Sequence, residues 1–588
     1  MTQSTETPLG GGPQPTQHAM LILWGLFAQE LGLRDQLAAV PIAEKTVQHS
    51  SAAKLATLFM GLLSGIEFLT DLTRRPAPLY HDPAVARAWG LAALPEASGV
   101  SRTLAAASAR SLTALQTVLE ALTVPFLAQA LADLQSRNAP LILDADLTGQ
   151  PVSDTSTTYP GAAFGYMDGT LHLGYQLAVV CLETALYGRQ WLVGQQHPGD
   201  TVSAPCLLGL VQAVERRLGC HPRRRPELLD VRIALAEACA SAWDQRTTRH
   251  RRIAQQGLAR EERLLGQIEQ AHQQLQELRQ HPLSSRQSGP RSTRTALLQQ
   301  IAGWERQLGR MRQQWATAVQ RAERTAAAAA AARTPIPAWQ TRQQLLAAEN
   351  ARQPTAPRCI LRLDSGFSSG PNLTTLLELG YDIETKAGNA AVVRALRRQV
   401  TAATPWTRVG RNAEMVGWVN YQMRTCPYPL TVGLERLRTP QGDKYAVLVR
   451  YQADPSAACP DLAAWFHQYN ARGGIKAGIK QAKTVFPVQH PFSRTAVGMS
   501  IQIALTLFAA NFVGWSQEWL RTRMQGRQNE GPAGLGGVKQ WTTVLANSRA
   551  QVAQVGDQVV VSFDKMSSCR DLVIHMRAAG PVQLALPW

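Results

Sequence analysis

Two apolar runs that end alike constrain this chain more than any other feature. Leu141-Ile-Leu-Asp144-Ala-Asp146 and Cys359-Ile-Leu-Arg362-Leu-Asp364 each read as a short strand carrying a carboxylate near its C-terminal end. Side chains alternate along a strand, so Asp144 and Asp146 share one face. A lone aspartate at a strand end is often only a helix cap; two such strands in one chain ask to be placed side by side. After the first run, residues 163–166, 171–183 and 185–194 read as further strands joined by short polar turns, and Asp200 is expected to cap a helix reaching about Gly219. After the second come a helix over 372–379, a strand over 381–386, and alternating runs from Trp406 to Gln452, such as Tyr445-Ala-Val-Leu-Val, that read as an antiparallel β-insertion.

The flanking segments have other textures. Residues 1–18, rich in Thr, Gly, Pro and Gln, read as a disordered tail with no basic region before an apolar run, which argues against a secretory signal. Residues 19–138 have helical periodicity. Within them Asp82-Pro83 supplies an N-cap and a proline at the first helical position, and a second start follows at Ser98-Gly-Val-Ser101-Arg102-Thr103. That pair of short helices fits a helix-turn-helix, with Arg102 a DNA contact, or an ordinary helical bundle. Between the two aspartate strands, Leu264, Ile268, Ala271, Leu275 and Leu278 step by 4, 3, 4, 3, and Leu297, Ile301, Trp304, Leu308, Met311 and Trp315 do likewise. His281 to Pro290 cannot continue a helix, so residues 245–335 are expected to form an antiparallel coiled-coil hairpin. The turn at Arg223-Arg224-Arg225 reads equally as a phosphate contact or a solvated loop. Val497 to Trp515 carries no charge over 19 residues, but Ser500, Gln502, Thr506 and Asn511 interrupt it, which favours a buried core helix over a membrane span.

Lys and Arg number 60 against 42 Asp and Glu, a formal charge of +18, which favours a polyanionic partner. The eight cysteines include no Cys-x2-Cys pair, which points to a reducing compartment. The most concentrated basic feature is Tyr469-Asn-Ala-Arg472-Gly-Gly-Ile-Lys476-Ala-Gly-Ile-Lys480-Gln-Ala-Lys483. At 3.6 residues per turn, positions 469, 472, 476, 480 and 483 fall on one helical face. Such a stripe suits a phosphodiester backbone, and the plain alternative is a solvated basic face.

The spacing of that stripe resembles the Tyr-x2-Arg-x3-Glu-x6-Lys signature of bacterial insertion-sequence transposases of the cut-and-paste DDE type. Tyr469, Arg472 and Lys483 match in register, and Lys476 stands where the family has its third catalytic carboxylate. The resemblance covers about 140–515 and implies an α/β fold with a ribonuclease-H-like mixed sheet. It also implies catalytic aspartates at Asp146 (or its neighbour Asp144) and Asp364, two Mg²⁺ ions held by them, and phosphate contacts from Tyr469, Arg472, Lys480 and Lys483. The implied partner is double-stranded DNA bearing terminal inverted repeats, bound by a homodimer in a synaptic complex in the bacterial cytoplasm. The domain layout is then a DNA-binding region over 19–138, catalytic parts over 139–244, 336–401 and 459–525, the hairpin over 245–335, a β-rich insertion over 402–458 and a β-containing tail over 526–588.

Lys476 departs from the family. Opposed charges 4 Å apart attract by about 4 kcal/mol at an effective dielectric near 20, so Lys476 is expected to pair with Asp146 or Asp364 in place of a metal ion. The two readings are a transposase impaired in cleavage and a catalytically silent DNA-binding protein of the same fold.

Overall fold

The structure, a computed structural model, describes residues 13–44, 48–167, 169–280, 290–451, 461–486, 490–524, 540–555, 558–563 and 586–587. It divides into two compact units, Met1–Arg223 with Gln353–Trp588, and Arg224–Arg352. The His281–Pro290 turn, Cys459 and most of the C-terminal tail fall outside the described residues, apart from Pro290 itself, which opens a helix.

The first unit opens with β1 (Gln14–Thr16) and seven helices: α1 (Ala19–Glu30), α2 (Leu33–Leu37), α3 (Ser51–Leu63), α4 (Asp71–Arg74), α5 (Pro83–Ala88), α6 (Ala97–Ala106) and α7 (Ala109–Ser136). Ten of the 12 residues of α1 are buried, as its apolar circumference requires. Asp82 caps α5 as expected, accepting from the Val85 amide, and also takes the Thr16 hydroxyl at 2.6 Å. The second start differs: α6 begins at Ala97, so Ser101-Arg102-Thr103 lies inside the helix, with Arg102 exposed and Thr103 buried.

The central sheet has ten strands. Its first half is β2 (Leu141–Pro151), β3 (Ala163–Met167), β4 (Thr170–Thr184) and β5 (Gly188–Pro198), followed by α8 (Ser203–Leu218). Val202, with no capping side chain, precedes α8, so Asp200 is not its cap. In the second unit lie α9 (Glu227–Gln280), α10 (Pro290–Arg333) and α11 (Ile336–Arg352). The first unit resumes with β6 (Cys359–Leu363), α12 (Gly370–Glu378), β7 (Asp382–Lys386), α13 (Ala390–Gln399), β8 (Thr407–Arg408), β9 (Ala413–Gln422), β10 (Pro429–Thr439) and β11 (Gly442–Tyr451). It continues through α14 (Leu462–Ala471), α15 (Gly473–Thr484) and α16 (Ala496–Met524) to β12 (Ala550–Val555), β13 (Gln558–Phe563) and β14 (Leu586–Pro587), which form a small sheet with β1.

The strand order is β3-β4-β2-β6-β7-β11-β10-β9-β8, with β5 also on β4. β2, β6 and β7 are parallel, and β4 runs antiparallel to both β2 and β5. The order β5-β4-β2-β6-β7 is that of a ribonuclease-H-like mixed sheet. The segment expected as an antiparallel β-insertion extends this sheet, because β11 pairs with β7, Leu448 opposite Lys386.

α16 threads the core. Phe512 packs on Phe27 of α1, and Trp515 stacks on Phe126 of α7 with centroids 4.3 Å apart, so the N-terminal helices share their core with α16. Two of its polar residues have partners that explain them, whereas the buried Thr506 hydroxyl has none among the described residues. Asn511 bonds both backbone groups of Trp191 at 2.7 and 2.9 Å, and Gln502 accepts from the Phe492 amide at 2.7 Å. α7 and α16 are each long and apolar enough to cross a membrane.

In the second unit α9 and α10 run antiparallel: Glu261 meets Arg312, Thr247 meets Thr325, and Asp244 meets Arg333. The expected seam is the buried one, with Leu264, Ala271 and Leu275 facing Ile301 and Leu308. The hairpin begins at Glu227, earlier than the heptads alone suggested, because Ala240, Thr247 and Ala254 continue the seam with small side chains. Arg224 is neither a phosphate contact nor solvated: it is buried and pairs with Glu349 at 2.6 Å.

Candidate functional site

β2 and β6 run parallel with Asp144 opposite Arg362 and Ala145 opposite Leu363. One step further, Asp146 and Asp364 lie beside each other. The structure brings them onto one guanidinium: Arg472 Nη2 is 3.1 Å from Asp146 Oδ1, and Arg472 Nη1 is 3.8 Å from Asp364 Oδ1. Arg472 Nη2 also donates to the Ala145 carbonyl at 3.0 Å. Asp146 is buried within β2, which runs on to Pro151, whereas Asp364 follows the end of β6 with its side chain 40% exposed. Burial pushes the Asp146 carboxyl up; Arg472 opposes this shift and Asp364 adds to it.

One row back, Asp144 is held by arginines. Both Asp144 oxygens accept from Arg362, at 2.6 and 2.8 Å, and Arg189 lies 3.7 Å away. Arg362 also reaches Glu183 at 2.6 Å and the Gln468 carbonyl at 2.9 Å. Both Asp144 oxygens are thus engaged by Arg362, while Asp146 lies beside Arg472. The row continues outward through Glu384, pushed up to about 7 by burial, to Arg450 at 3.6 Å.

The basic stripe is not one solvated face. α14 starts at Asp461, whose carboxylate accepts from the Ala463 amide. It ends at Ala471, and α15 starts two residues later on Gly473-Gly474, so the helical register breaks at Arg472. Glycines weaken a helix by roughly 1 kcal/mol each, and the Arg189 guanidinium lies close against Gly474, where a Cβ would be 2.4 Å from Nη2. Tyr469 and Arg472 point inward, 5% and 4% exposed, and the Tyr469 hydroxyl donates to the Leu363 carbonyl at 3.3 Å. Neither is free to meet a phosphate. Burial pushes the Tyr469 phenol up to about 12, with Asp364, Glu435 and Asp146 adding to the shift. Lys476 is exposed and acts on Asp146 only through its field; the cation seated between the carboxylates is Arg472. Lys480 and Lys483 lie on α15, their side chains outside the described residues.

Residues that the sequence did not single out complete the site. Arg362 is the buried counter-ion of Asp144, and Lys386, 3.2 Å from Glu435, sits 5.8 Å from the Tyr469 ring. A signal for Arg362 was present: Asp144-x-Asp146 and Arg362-x-Asp364 have the same two-residue spacing, so parallel register sets the carboxylates together and the Asp–Arg pair together. The residues do not fit a two-metal centre. Among the described residues no group of three His, Cys, Asp or Glu is placed to hold a metal ion, and a guanidinium already bridges the carboxylate pair.

No family model and no curated protein matches this chain. Among solved structures, a piggyBac transposase synaptic complex with hairpin DNA is similar at 8% identity and a TM-score of 0.37, over 91% of this chain and 83% of that one. At that identity and superposition the likeness carries no residue-level correspondence.

Proposed function

We propose that this chain is a transposase-fold protein, derived from an insertion sequence of the DDE type, that binds double-stranded DNA and does not cleave it. The observation that carries the reading is the in-register pair Asp146 and Asp364 on adjacent parallel strands of a ribonuclease-H-like sheet, neutralised by Arg472. A pair of strand-end carboxylates is what a phosphoryl-transfer centre of this fold would need, and that supports the descent proposed here. A lysine in the third position and an arginine across the pair stand against the Mg²⁺ that such a centre uses, so no metal-dependent step is assigned to it. The +18 charge supports a DNA partner. The natural substrate of the reading is terminal-repeat DNA bound by a homodimer in a bacterial cytoplasm.

The test uses duplex DNA from the sequence flanking the gene. The full chain retards that duplex, with affinity falling steeply as salt rises, and leaves it uncut in Mg²⁺. Mg²⁺-dependent cleavage by the unaltered chain, lost in Asp364→Ala, overturns the silent-site reading; no retardation at low salt overturns DNA binding.

A further inference from the structure

Residues 387–451 carry ten Lys and Arg against three Asp and Glu, an excess of which the carboxylate site uses only Arg450. The sheet sorts these charges by face. Glu435 points to the α14 side, where it meets Lys386, so its neighbours Arg436 and Arg438 on β10 point to the opposite side. On that opposite side one row crosses four strands in register: Arg408 opposite Glu414, Glu414 opposite Arg436, and Arg436 opposite Tyr445.

This row is ordered. Glu414 holds Arg436 and Arg438, the latter at 2.9 Å, and the Arg436 hydrogen bond keeps the Glu414 carboxyl below its ordinary range. Arg436 lies over the Trp406 ring at 4.2 Å. α13 packs on the same side: Arg397 lies over the Tyr445 ring at 4.2 Å while Leu396 is fully buried. Arg394, Arg397 and Arg398 are exposed, and among the described residues none has a carboxylate partner. Arg394 and Arg398 are one helical turn apart, about 6 Å, close enough to meet neighbouring phosphates of one strand. Arginines pre-set by stacking lose less freedom on binding, and planar forks match phosphate oxygens.

We propose that α13 and the outer face of β8–β11 form a binding surface for the backbone of a second DNA duplex, on the side of the sheet turned away from Asp146 and Asp364. The surface is sequence-independent, because it offers cations and stacked guanidinium planes without a groove-reading element. It rests on the reading that this chain binds duplex DNA, and adds where a second duplex lies.

The experiment titrates the full chain with a labelled random-sequence duplex and compares Arg394→Ala/Arg397→Ala/Arg398→Ala with the unaltered chain. At physiological salt the stoichiometry should fall from two duplexes per chain to one, while at low salt both classes still fill. The slope of log affinity against log salt for the weaker class should shrink by about 2 to 3, since each phosphate contact contributes about 0.9. Arg394→Gln/Arg398→Gln keeps the Arg397–Tyr445 stack, so a loss shared by both variants is not a folding defect. Unchanged stoichiometry and slope in both overturn the surface while leaving DNA binding standing. A chain that binds no duplex overturns the functional reading as well. Equal binding of single-stranded RNA, with equal sensitivity to the substitutions, overturns the assignment to duplex DNA.

Discussion

Replacing Arg472 with alanine is the most informative single change. It strips Asp146, buried in β2, of its close cation and leaves the Ala145 carbonyl without its donor. Removing one partner of a buried ion pair costs roughly 3–5 kcal/mol. The Asp364 arm contributes little to this, because its side chain is 40% exposed and the contact is 3.8 Å. A net loss of about 3–4 kcal/mol follows for the first unit. The loss has a pH signature. Burial already holds the folded Asp146 carboxyl above its ordinary range, and Arg472 is the largest force opposing that rise. Without Arg472 the folded pKa climbs further. A folded pKa above the unfolded one leaves stability intact below about pH 4, where both states are protonated, and lowers it as pH rises through the folded value. Urea unfolding of Arg472→Ala should therefore show a larger deficit at pH 8 than at pH 5. Arg472→Lys, which keeps one charge but not the fork, should recover part of it. A deficit below about 1 kcal/mol at pH 8, or one that does not shrink toward pH 5, would refute the reasoning.

Arg362→Met should destabilise by about 3–5 kcal/mol in chemical unfolding, because it leaves the fully buried Asp144 with only Arg189 at 3.7 Å; adding Asp144→Leu should recover much of the loss, and no recovery would mean that the pair is not what Arg362 supports. Replacing 224–352 with a short flexible linker should leave the first unit folded, since His221 and Gln353 are already joined by hydrogen bonds of 3.2 and 2.7 Å; loss of its cooperative thermal transition would contradict the division into two units. Leu275→Ala should cost about 2–3 kcal/mol in the hairpin, read as faster amide exchange across α9 and α10 with none gained in the sheet.

Much of the fold was legible because period and strand endings carry it. Leu141–Pro151 and Cys359–Leu363 were each marked by apolar runs, and the seam from Leu264 to Leu308 by its heptads. The meander over 407–451 was legible as strands but not as part of the main sheet, because the pairing of β11 with β7 is a long-range contact that no local pattern encodes. The site was half legible. Asp146 and Asp364 stand out in the sequence, but the stripe over 469–483 shares one face only if the helix is unbroken, and it is interrupted at Arg472 before Gly473-Gly474. With the break in place, Arg472 turns inward and Lys476 stays in solvent, so the role expected of the lysine falls to the arginine one turn earlier. Asp200 lost its expected cap for a local reason: α8 begins three residues later, after Val202.

The central claim is that the carboxylate pair is neutralised from within and does not take up a divalent metal. Titrating the full chain with Mn²⁺ by calorimetry at pH 7.5 tests it most directly, with Lys476→Glu alongside. The unaltered chain should show no stoichiometric site, and neither should Lys476→Glu, because Arg472 still bridges the carboxylate pair. Stoichiometric Mn²⁺ binding by the unaltered chain, abolished by Asp364→Asn, would contradict the account.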